Sequence, residues 1–152
     1  MSGFHNPGFY ALLMLAAGLG IPVMAALNGN LGVKLQSPAL ATIILFVVGG
    51  LTALGFLLIS EGIPSFNLQE PVPIYSYFGG VFVIFYILSI TWVAPKFGIG
   101  NAVSFVLLGQ LISMSVIDHY SLLNAQQNII TSQRLIGLAF MVVGVFLSVR
   151  RI

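Results

Sequence analysis

Charge is scarce in this chain. Of its 152 residues, five are Lys or Arg and three are Asp or Glu, whereas 59% are hydrophobic and the mean hydropathy is +1.09. A soluble domain typically has about 25% charged residues, and here the fraction is 5%. So few charged side chains cannot provide a water-facing surface for a protein of this size. The composition therefore predicts that a lipid bilayer is the solvent of most of the chain.

Cysteine and several other chemical signatures are missing. Without cysteine the chain has no disulfide framework, no thiolate nucleophile and no cysteine-ligated metal. Its two histidines, His5 and His119, lie far apart in the sequence, so we expect neither a metal site nor a cofactor. No Walker loop, HExxH, GxSxG or Rossmann fingerprint occurs, which argues against an enzyme. A net charge of +2 without a basic run argues against a nucleic-acid partner.

Long apolar segments are what the chain has instead. They approach or exceed the ~20 residues that a spanning helix needs. The predicted helices lie at about 9–33, 38–60, 73–94, 101–118 and 134–150. Short links join them, with Pro38 opening the second helix and a tight turn expected at 95–98. The sequence predicts an all-α membrane protein with one transmembrane domain, residues 1–152, built as a bundle of five helices.

The basic residues predict the orientation of the bundle. With five spans, the two termini lie on opposite sides of the membrane. One side receives Lys34, Lys96, Arg150 and Arg151, and the other receives Arg134 together with the carboxylates Glu61, Glu70 and Asp118. Because cytoplasmic loops carry an excess of Lys and Arg, we expect the N-terminus outside and the C-terminus in the cytoplasm.

The fourth segment carries an amide at membrane depth. Gln110 lies in the run LGQLISMSVIDH, and lipid offers no hydrogen-bond partner to a primary amide, so this side chain must face protein or water. Gln110 and Ser113 share one stripe of the helix at steps of three and four residues. Two interpretations are open: Gln110 contacts a substrate, or it forms a hydrogen bond to a neighbouring helix.

Tyr86 and Asn28 are two further candidate contacts for a substrate. Tyr86 lies deep in the third segment, and its hydroxyl either bonds to a neighbouring helix or faces a ligand-filled space, where the ring suits an organic cation. Asn28 lies near the cytoplasmic end of the first segment. We expect it either to cap the end of that helix, together with Asn30, or to form a polar gate at the mouth of a pathway.

The first segment contains the motif GLGIP at residues 18–22. Pro22 has no N–H to donate to the carbonyl four residues earlier, so we expect the helix to kink or loosen there. Gly18 and Gly20 remove side-chain bulk around this point. The motif is either a hinge whose freed carbonyls line a cavity or a notch where another helix crosses closely, and the two roles are compatible.

Asp118 and His119 end the fourth segment. One interpretation is an interfacial carboxylate paired with Arg134 or with His119. The other is proton coupling, for which a partly desolvated carboxylate next to a histidine is suitable chemistry. Asp118 follows Gln110 by eight residues and therefore points about 80° away from it round the helix, so the two need not share one site.

Several motifs occur in the same order as in one known group. They are MAALNGNLG at 24–32, SP at 37–38, LGQ at 108–110, IDH at 117–119, RLIG at 134–137 and GVF at 144–146. In this order they resemble the small five-helix bacterial inner-membrane proteins of the drug/metabolite transporter (DMT) superfamily. The resemblance covers nearly the whole chain, from about residue 9 to 150.

The resemblance implies both a fold and a function. It implies half of an inverted-repeat transporter, completed by a second five-helix unit, either a second copy or a homologue, in the inverted orientation. We therefore expect alternating access for a small molecule across a dimer. The more distant small multidrug resistance proteins use a Glu in the first helix, and the absence of a carboxylate there favours a neutral or weakly polar metabolite. The alternatives are a non-transporting membrane interaction subunit and a passive channel.

Overall fold

The computed structural model describes residues 7–63 and 72–149, and all regular structure in those ranges is helical. The α-helices are α1 (Pro7–Lys34), α2 (Pro38–Ser60), α3 (Gly79–Phe97), α4 (Ile99–His119) and α5 (Ser132–Ser148), with 3₁₀ turns at Ile74–Phe78 and Leu122–Asn124. By length and composition, four spans can cross a membrane, and α5, with 17 residues, is a shorter apolar helix. The prediction of an all-α membrane protein with five helices is confirmed.

The chain divides into two compact units, Met1–Lys96 and Phe97–Ile152. The described part of the first unit contains α1, α2 and nearly all of α3, and that of the second contains α4 and α5. Four residues used in the sequence analysis lie outside the described residues: His5, Glu70, Arg150 and Arg151.

The end of α1 follows from the local sequence. The N–H of Gln36 donates to the Val33 carbonyl at 3.1 Å, and the N–H of Ser37 donates to the Gly32 carbonyl at 3.0 Å. These two bonds form a Schellman motif, in which the last helical carbonyls find donors just beyond the helix. Gln36 occupies the left-handed position of the motif, with φ of 52°. The chain therefore reverses direction between α1 and α2 within three residues, 35–37.

Two helices begin at a side-chain cap. The hydroxyl of Ser37 accepts a hydrogen bond from Leu40 N at 3.1 Å, and Pro38 opens α2 at a position whose N–H would have no helical partner. Thr131 caps α5 in the same way, because its Oγ1 accepts a hydrogen bond from Arg134 N at 3.2 Å. As a result α5 runs from residue 132 to 148 and lies two residues earlier than predicted.

The turn expected at 95–98 is shorter in the structure. α3 continues through Pro95 to Phe97, and Gly98, with φ of 90°, breaks the helix. Pro95 removes one hydrogen bond, the one to the Thr91 carbonyl, but its fixed φ suits a helix. Its ring packs against α1, where a Cβ added at Gly29 would lie 3.3 Å from Pro95 Cγ. This packing keeps Pro95 in the last helical turn, so α3 ends three residues beyond the predicted boundary.

Small residues form the core where α1, α2 and α3 converge. Ala25, Ala41 and Thr91 are between 0% and 1% exposed. Gly32 permits the close approach, because a Cβ added there would lie 3.0 Å from Thr91 Cγ2 and 3.4 Å from Pro38 Cα. In a membrane, close approach at small residues is what gives neighbouring helices their packing energy.

The first half of α1 is uncovered. Residues 8–21 are all exposed, and a Cβ added at Gly18 or Gly20 would meet nothing within 4 Å. Within the described part of the chain, then, no helix crosses closely at these two glycines. A packing notch at this place requires a partner other than the described residues.

The close approach at Gly32 predicts a steric penalty. Gly32→Val places two methyl groups against Thr91 and Pro38, and overpacking of this kind costs about 1–3 kcal/mol. We expect a lower temperature of unfolding in detergent and loss of the monodisperse peak in size-exclusion chromatography. The matched control is Gly50→Val on α2, where an added Cβ meets nothing within 4 Å. Equal unfolding temperatures for the two variants would contradict the packing described above.

Candidate functional site

A buried polar contact joins α1 to α3. Asn28 Nδ2 donates a hydrogen bond to Thr91 Oγ1 at 2.5 Å, and the two residues are 4% and 1% exposed. The interpretation of Asn28 as a helix cap is wrong, since α1 continues beyond it to Lys34 and the amide bonds to another helix. Sequence reasoning missed Thr91. The available signal was a hydroxyl four residues before a proline in a largely apolar helix.

The Asn28–Thr91 contact retains unused hydrogen-bonding capacity. An asparagine amide can form four hydrogen bonds, and Asn28 forms this one side-chain bond within the described part of the chain. The Thr91 carbonyl has no helical donor, because Pro95 lacks the N–H. Gly29 of α1 packs beside this carbonyl, since an added Cβ would lie 3.9 Å from the Thr91 oxygen. The crossing therefore contains an amide and a carbonyl with free hydrogen-bonding capacity, and both are buried in this structure.

Tyr86 on α3 ends in a buried hydroxyl that has no hydrogen-bond partner among the described residues. The residue as a whole is half-buried. Tyr86 precedes Thr91 by five residues and therefore points about 140° away from it round the helix. An unpaired hydroxyl at membrane depth costs free energy unless another group reaches it. Tyr86 thus presents a hydrogen-bonding group on a different face of α3 from Thr91.

Gln110 and Ser113 are exposed on α4. Neither side chain bonds to a described residue, whereas Ser115 is 4% exposed and donates to the Leu111 carbonyl of its own helix at 2.7 Å. α4 has 21 residues, so it is about 30 Å long and Gln110 lies about 16 Å from its first residue. The amide is therefore near the middle of the span and is not satisfied by the described chain.

Pro22 does not interrupt α1. The helix is continuous from Pro7 to Lys34 with Pro22 inside it, and Pro22 leaves the Gly18 carbonyl without its usual donor. Gly18 and Gly20 both face open space with respect to the described residues. The segment thus combines a weakened backbone with an uncovered face, and a hinge at this place stays a prediction.

Asp118 and Arg134 form an ion pair in the second unit. Arg134 Nη2 lies 2.9 Å from Asp118 Oδ2, and the side chains are 29% and 22% exposed respectively. Asp118 belongs to the last turn of α4 and Arg134 to the first turn of α5. Each charge therefore lies beside the favourable pole of the other helix, the carboxylate at the positive N-terminus of α5 and the guanidinium at the negative C-terminus of α4. The pair joins the two helices.

The segment after α4 folds back onto the end of that helix. Asn128 N donates to the Asp118 carbonyl at 3.0 Å, and Ile130 N donates to His119 Nδ1 at 3.2 Å. An imidazole that accepts at Nδ1 carries its hydrogen at Nε2 and is neutral. His119 thus holds the returning segment, and Asp118 has Arg134 as its ionic partner. A role of Asp118 and His119 in proton movement stays a prediction.

The candidate site offers uncharged polar groups. Asn28 and Tyr86 contribute an amide and a hydroxyl in the first compact unit, and Gln110 and Ser113 contribute an amide and a hydroxyl in the second. No group of three or more His, Asp or Glu side chains comes together within residues 7–63 and 72–149. Amides and hydroxyls can both donate hydrogen bonds to a solute and accept them from it, and they do not require the solute to be charged. Such a set suits recognition of polar but uncharged parts of a small molecule.

Apolar spans with amide and hydroxyl groups exposed at membrane depth define a multi-pass helical membrane protein with groups suited to a solute pathway. The chain belongs to the family described as "Putative inner membrane exporter, YdcZ" (DMT_YdcZ), whose sequence model matches residues 9–147. This finding confirms the predicted DMT membership, assigns the chain to the inner membrane, and points to a transporter rather than an enzyme. No curated protein and no solved structure matches the chain significantly.

The bond between Asn28 and Thr91 predicts energetic coupling of the two residues. Thr91→Val and Asn28→Leu should each destabilise the protein, because interhelical hydrogen bonds in membranes contribute about 0.6–2 kcal/mol. The double variant should lose less stability than the sum of the two single losses, by an amount of this size. The measurement is unfolding by sodium dodecyl sulfate in mixed micelles.

Thr52→Val is the matched control for this cycle. The Thr52 hydroxyl donates to the Val48 carbonyl of its own helix at 2.8 Å and is exposed, so its loss should change stability little. Strictly additive losses for Asn28→Leu and Thr91→Val would mean that the two side chains do not bond in the folded protein.

Proposed function

We propose that the chain is one half of a small-molecule exporter of the bacterial inner membrane, in which two five-helix units of opposite orientation work by alternating access. The observation that carries the proposal is the exposed face of α4 with Gln110 and Ser113, which no described residue satisfies. Family membership supports export across the inner membrane. The other half of the exporter is an identical chain or a homologue.

A lone chain exposes this face of α4 at a cost. Moving an amide into hydrocarbon without a hydrogen-bond partner costs several kcal/mol, since the bilayer core offers neither donors nor acceptors. A second five-helix chain packed against α4 takes the amide out of lipid. If an axis in the membrane plane relates the two chains, both Gln110 side chains border one cavity near the midplane. Transporters built from inverted repeats hold their substrates at such a position.

The uncovered half of α1 supports the same assembly. Residues 8–21 are exposed, and Gly18 and Gly20 within them give a surface on which another helix can cross closely. Pro22 removes one hydrogen bond from the same stretch, so α1 bends there at a lower cost than elsewhere. In the proposed mechanism α1 bends at residues 18–22 as the pair of chains changes between its inward-open and outward-open states.

The proposed substrate contacts are Gln110 and Ser113 in the second compact unit and Tyr86 and Asn28 in the first. In this structure Asn28 is 4% exposed and bonded to Thr91, so the contact closes one end of the α1–α3 crossing. Separation of α1 from α3 would expose the amide and the hydroxyl to a solute. None of these side chains is charged, and α1 contains no carboxylate. These features favour a neutral or weakly polar metabolite.

Asp118 and His119 form the proposed proton site. The carboxylate is 22% exposed and paired with Arg134, and His119 accepts a hydrogen bond from Ile130 N. A proton on Asp118 would weaken the ion pair between α4 and α5, and a proton on His119 Nδ1 would break the bond that holds the returning segment. Proton binding would in this way loosen the end of α4.

The proposed orientation has the N-terminus outside and the C-terminus in the cytoplasm. Lys34 at the end of α1 and Lys96 at the end of α3 are then cytoplasmic, and Arg134 at the start of α5 is external. A fluorescent reporter fused after Ile152 should fold and emit, whereas a phosphatase reporter at the same position should be inactive. Comparable activity of both reporters would mean that the chain inserts in both orientations.

The substrate site is tested with Gln110→Leu, which removes the amide at similar volume. A screen of metabolites and organic cations against the wild-type protein first identifies compounds that raise the unfolding temperature. We expect Gln110→Leu to abolish that rise, because its side chain cannot exchange hydrogen bonds with the ligand, while light scattering still shows a dimer. Met114→Leu, an exposed change on the same helix, should keep both properties.

Three outcomes would contradict this placement of the site. Dissociation of Gln110→Leu into monomers would show that the amide joins helices instead of binding substrate. Normal ligand stabilisation and transport would move the site elsewhere, with the Asn28 crossing as the next place to test. Efflux from proteoliposomes that does not saturate with substrate concentration would identify a channel.

A further inference from the structure

An apolar groove lies between α2 and α3 within the first unit. Its volume is about 530 Å³, and its lining includes Ala39, Ile43, Phe46 and Val47 from α2 and Ile84 and Leu88 from α3. Thr42 also lines the groove, but its hydroxyl donates to the Pro38 carbonyl of its own helix at 2.9 Å. The groove therefore has an apolar lining, and its volume is in the range of sites that hold organic ligands, about 300–1,000 Å³.

The groove extends from the membrane surface to the membrane interior. Ala39 is in the first turn of α2, and from there to Val47 the helix rises about 12 Å at 1.5 Å per residue. One leaflet of the hydrocarbon core is about 15 Å thick, half of the ~30 Å core. The length of the groove thus matches the depth of one leaflet.

Two lysines lie at the end of the first unit where this groove begins. Gly32 of α1 packs on Pro38 of α2, and Gly29 of α1 packs on Pro95 of α3, so these three helix ends meet. Lys34 follows Gly32 by two residues and Lys96 follows Pro95 directly. Both lysines are exposed, and no described carboxylate forms an ion pair with either. Among the described residues, no carboxylate neutralises the positive charge at the mouth of the groove.

Trp92 marks the depth of this charged end. The Lys96 ammonium lies 3.8 Å from the centre of the Trp92 ring, a cation–π arrangement, and Trp92 is 56% exposed. Tryptophan is enriched at the level of the lipid headgroups. Lys96 is thus held at the level where a lipid phosphate lies, and Ala39 opens the groove at the neighbouring helix end.

We propose that this end of the first unit is a binding site for an anionic phospholipid. One acyl chain of the lipid lies in the α2–α3 groove, and Lys34 and Lys96 hold the phosphate group. The proposal depends neither on the dimer nor on the substrate site. The two lysines favour a lipid over a helix of a second copy as the occupant, because an anionic phosphate neutralises their charge and an apolar helix does not.

Trp92 provides the measurement, because it is the one tryptophan of the chain. The full-length protein is reconstituted in phosphatidylcholine, and phosphatidylglycerol or phosphatidylcholine with brominated acyl chains is added to quench its fluorescence. We expect brominated phosphatidylglycerol to bind about tenfold more tightly than brominated phosphatidylcholine, because basic residues at the surface attract anionic lipids. The double variant Lys34→Gln/Lys96→Gln should bind both lipids equally.

A second pair of variants tests the groove. Ala39→Phe fills its mouth and, because Ala39 is exposed, should leave the fold unchanged while it removes the preference for phosphatidylglycerol. Ile59→Phe, at an exposed position of α2 outside the groove, should bind as the wild-type chain does. Size-exclusion profiles establish that both variants are folded.

The proposal has clear contrary results. Equal quenching of the wild-type protein by the two brominated lipids would remove the role of the lysines. An unchanged preference for phosphatidylglycerol in Ala39→Phe would overturn the assignment of the acyl chain to the groove. Glycerol 3-phosphate, which carries the anion without acyl chains, should not relieve the quenching, and competition by it would identify a site for a soluble anion instead.

Discussion

A polar group inside a bilayer must find its hydrogen-bond partner within the protein or in water that the protein encloses. The chain meets this constraint in two ways. Thr52 bonds to the carbonyl four residues earlier on its own helix, which requires no neighbour. Asn28 bonds to Thr91 on another helix, and this bond depends on Gly29 and Gly32, since a side chain at either position would press α1 away from α3.

Three of the candidate contact residues have a polar group that does not meet the constraint within the described chain. Gln110 and Ser113 are exposed on α4, and the Tyr86 hydroxyl is buried without a partner. Each lies within a span, where an unsatisfied group costs the most. In the proposed exporter, a second chain or a solute would supply hydrogen-bond partners to these groups.

Charged side chains occur at the ends of the helices, and some of them form an ion pair whereas others do not. Asp118 and Arg134 neutralise each other and join α4 to α5, where each also lies beside the favourable pole of the other helix. Lys34 and Lys96 have no such partner among the described residues. An uncompensated charge beside the membrane is free to attract an anion from the lipid surface, whereas a paired charge serves the packing of the protein.

Local sequence was sufficient to predict the helical class, the five apolar segments and the start of α2 at Ser37 and Pro38. It was also sufficient to identify Gln110 as an amide in an apolar run. These features depend on length, hydropathy and capping, which are local properties. It was not sufficient for the end of α3, where a local stop signal, Pro95, is overridden by packing against α1. Nor did it predict Thr91, which meets Asn28 from 63 residues away. Such a bond depends on where two helices cross, and the crossing is decided by the packing of small residues on both helices together, which the periodicity of either helix does not contain.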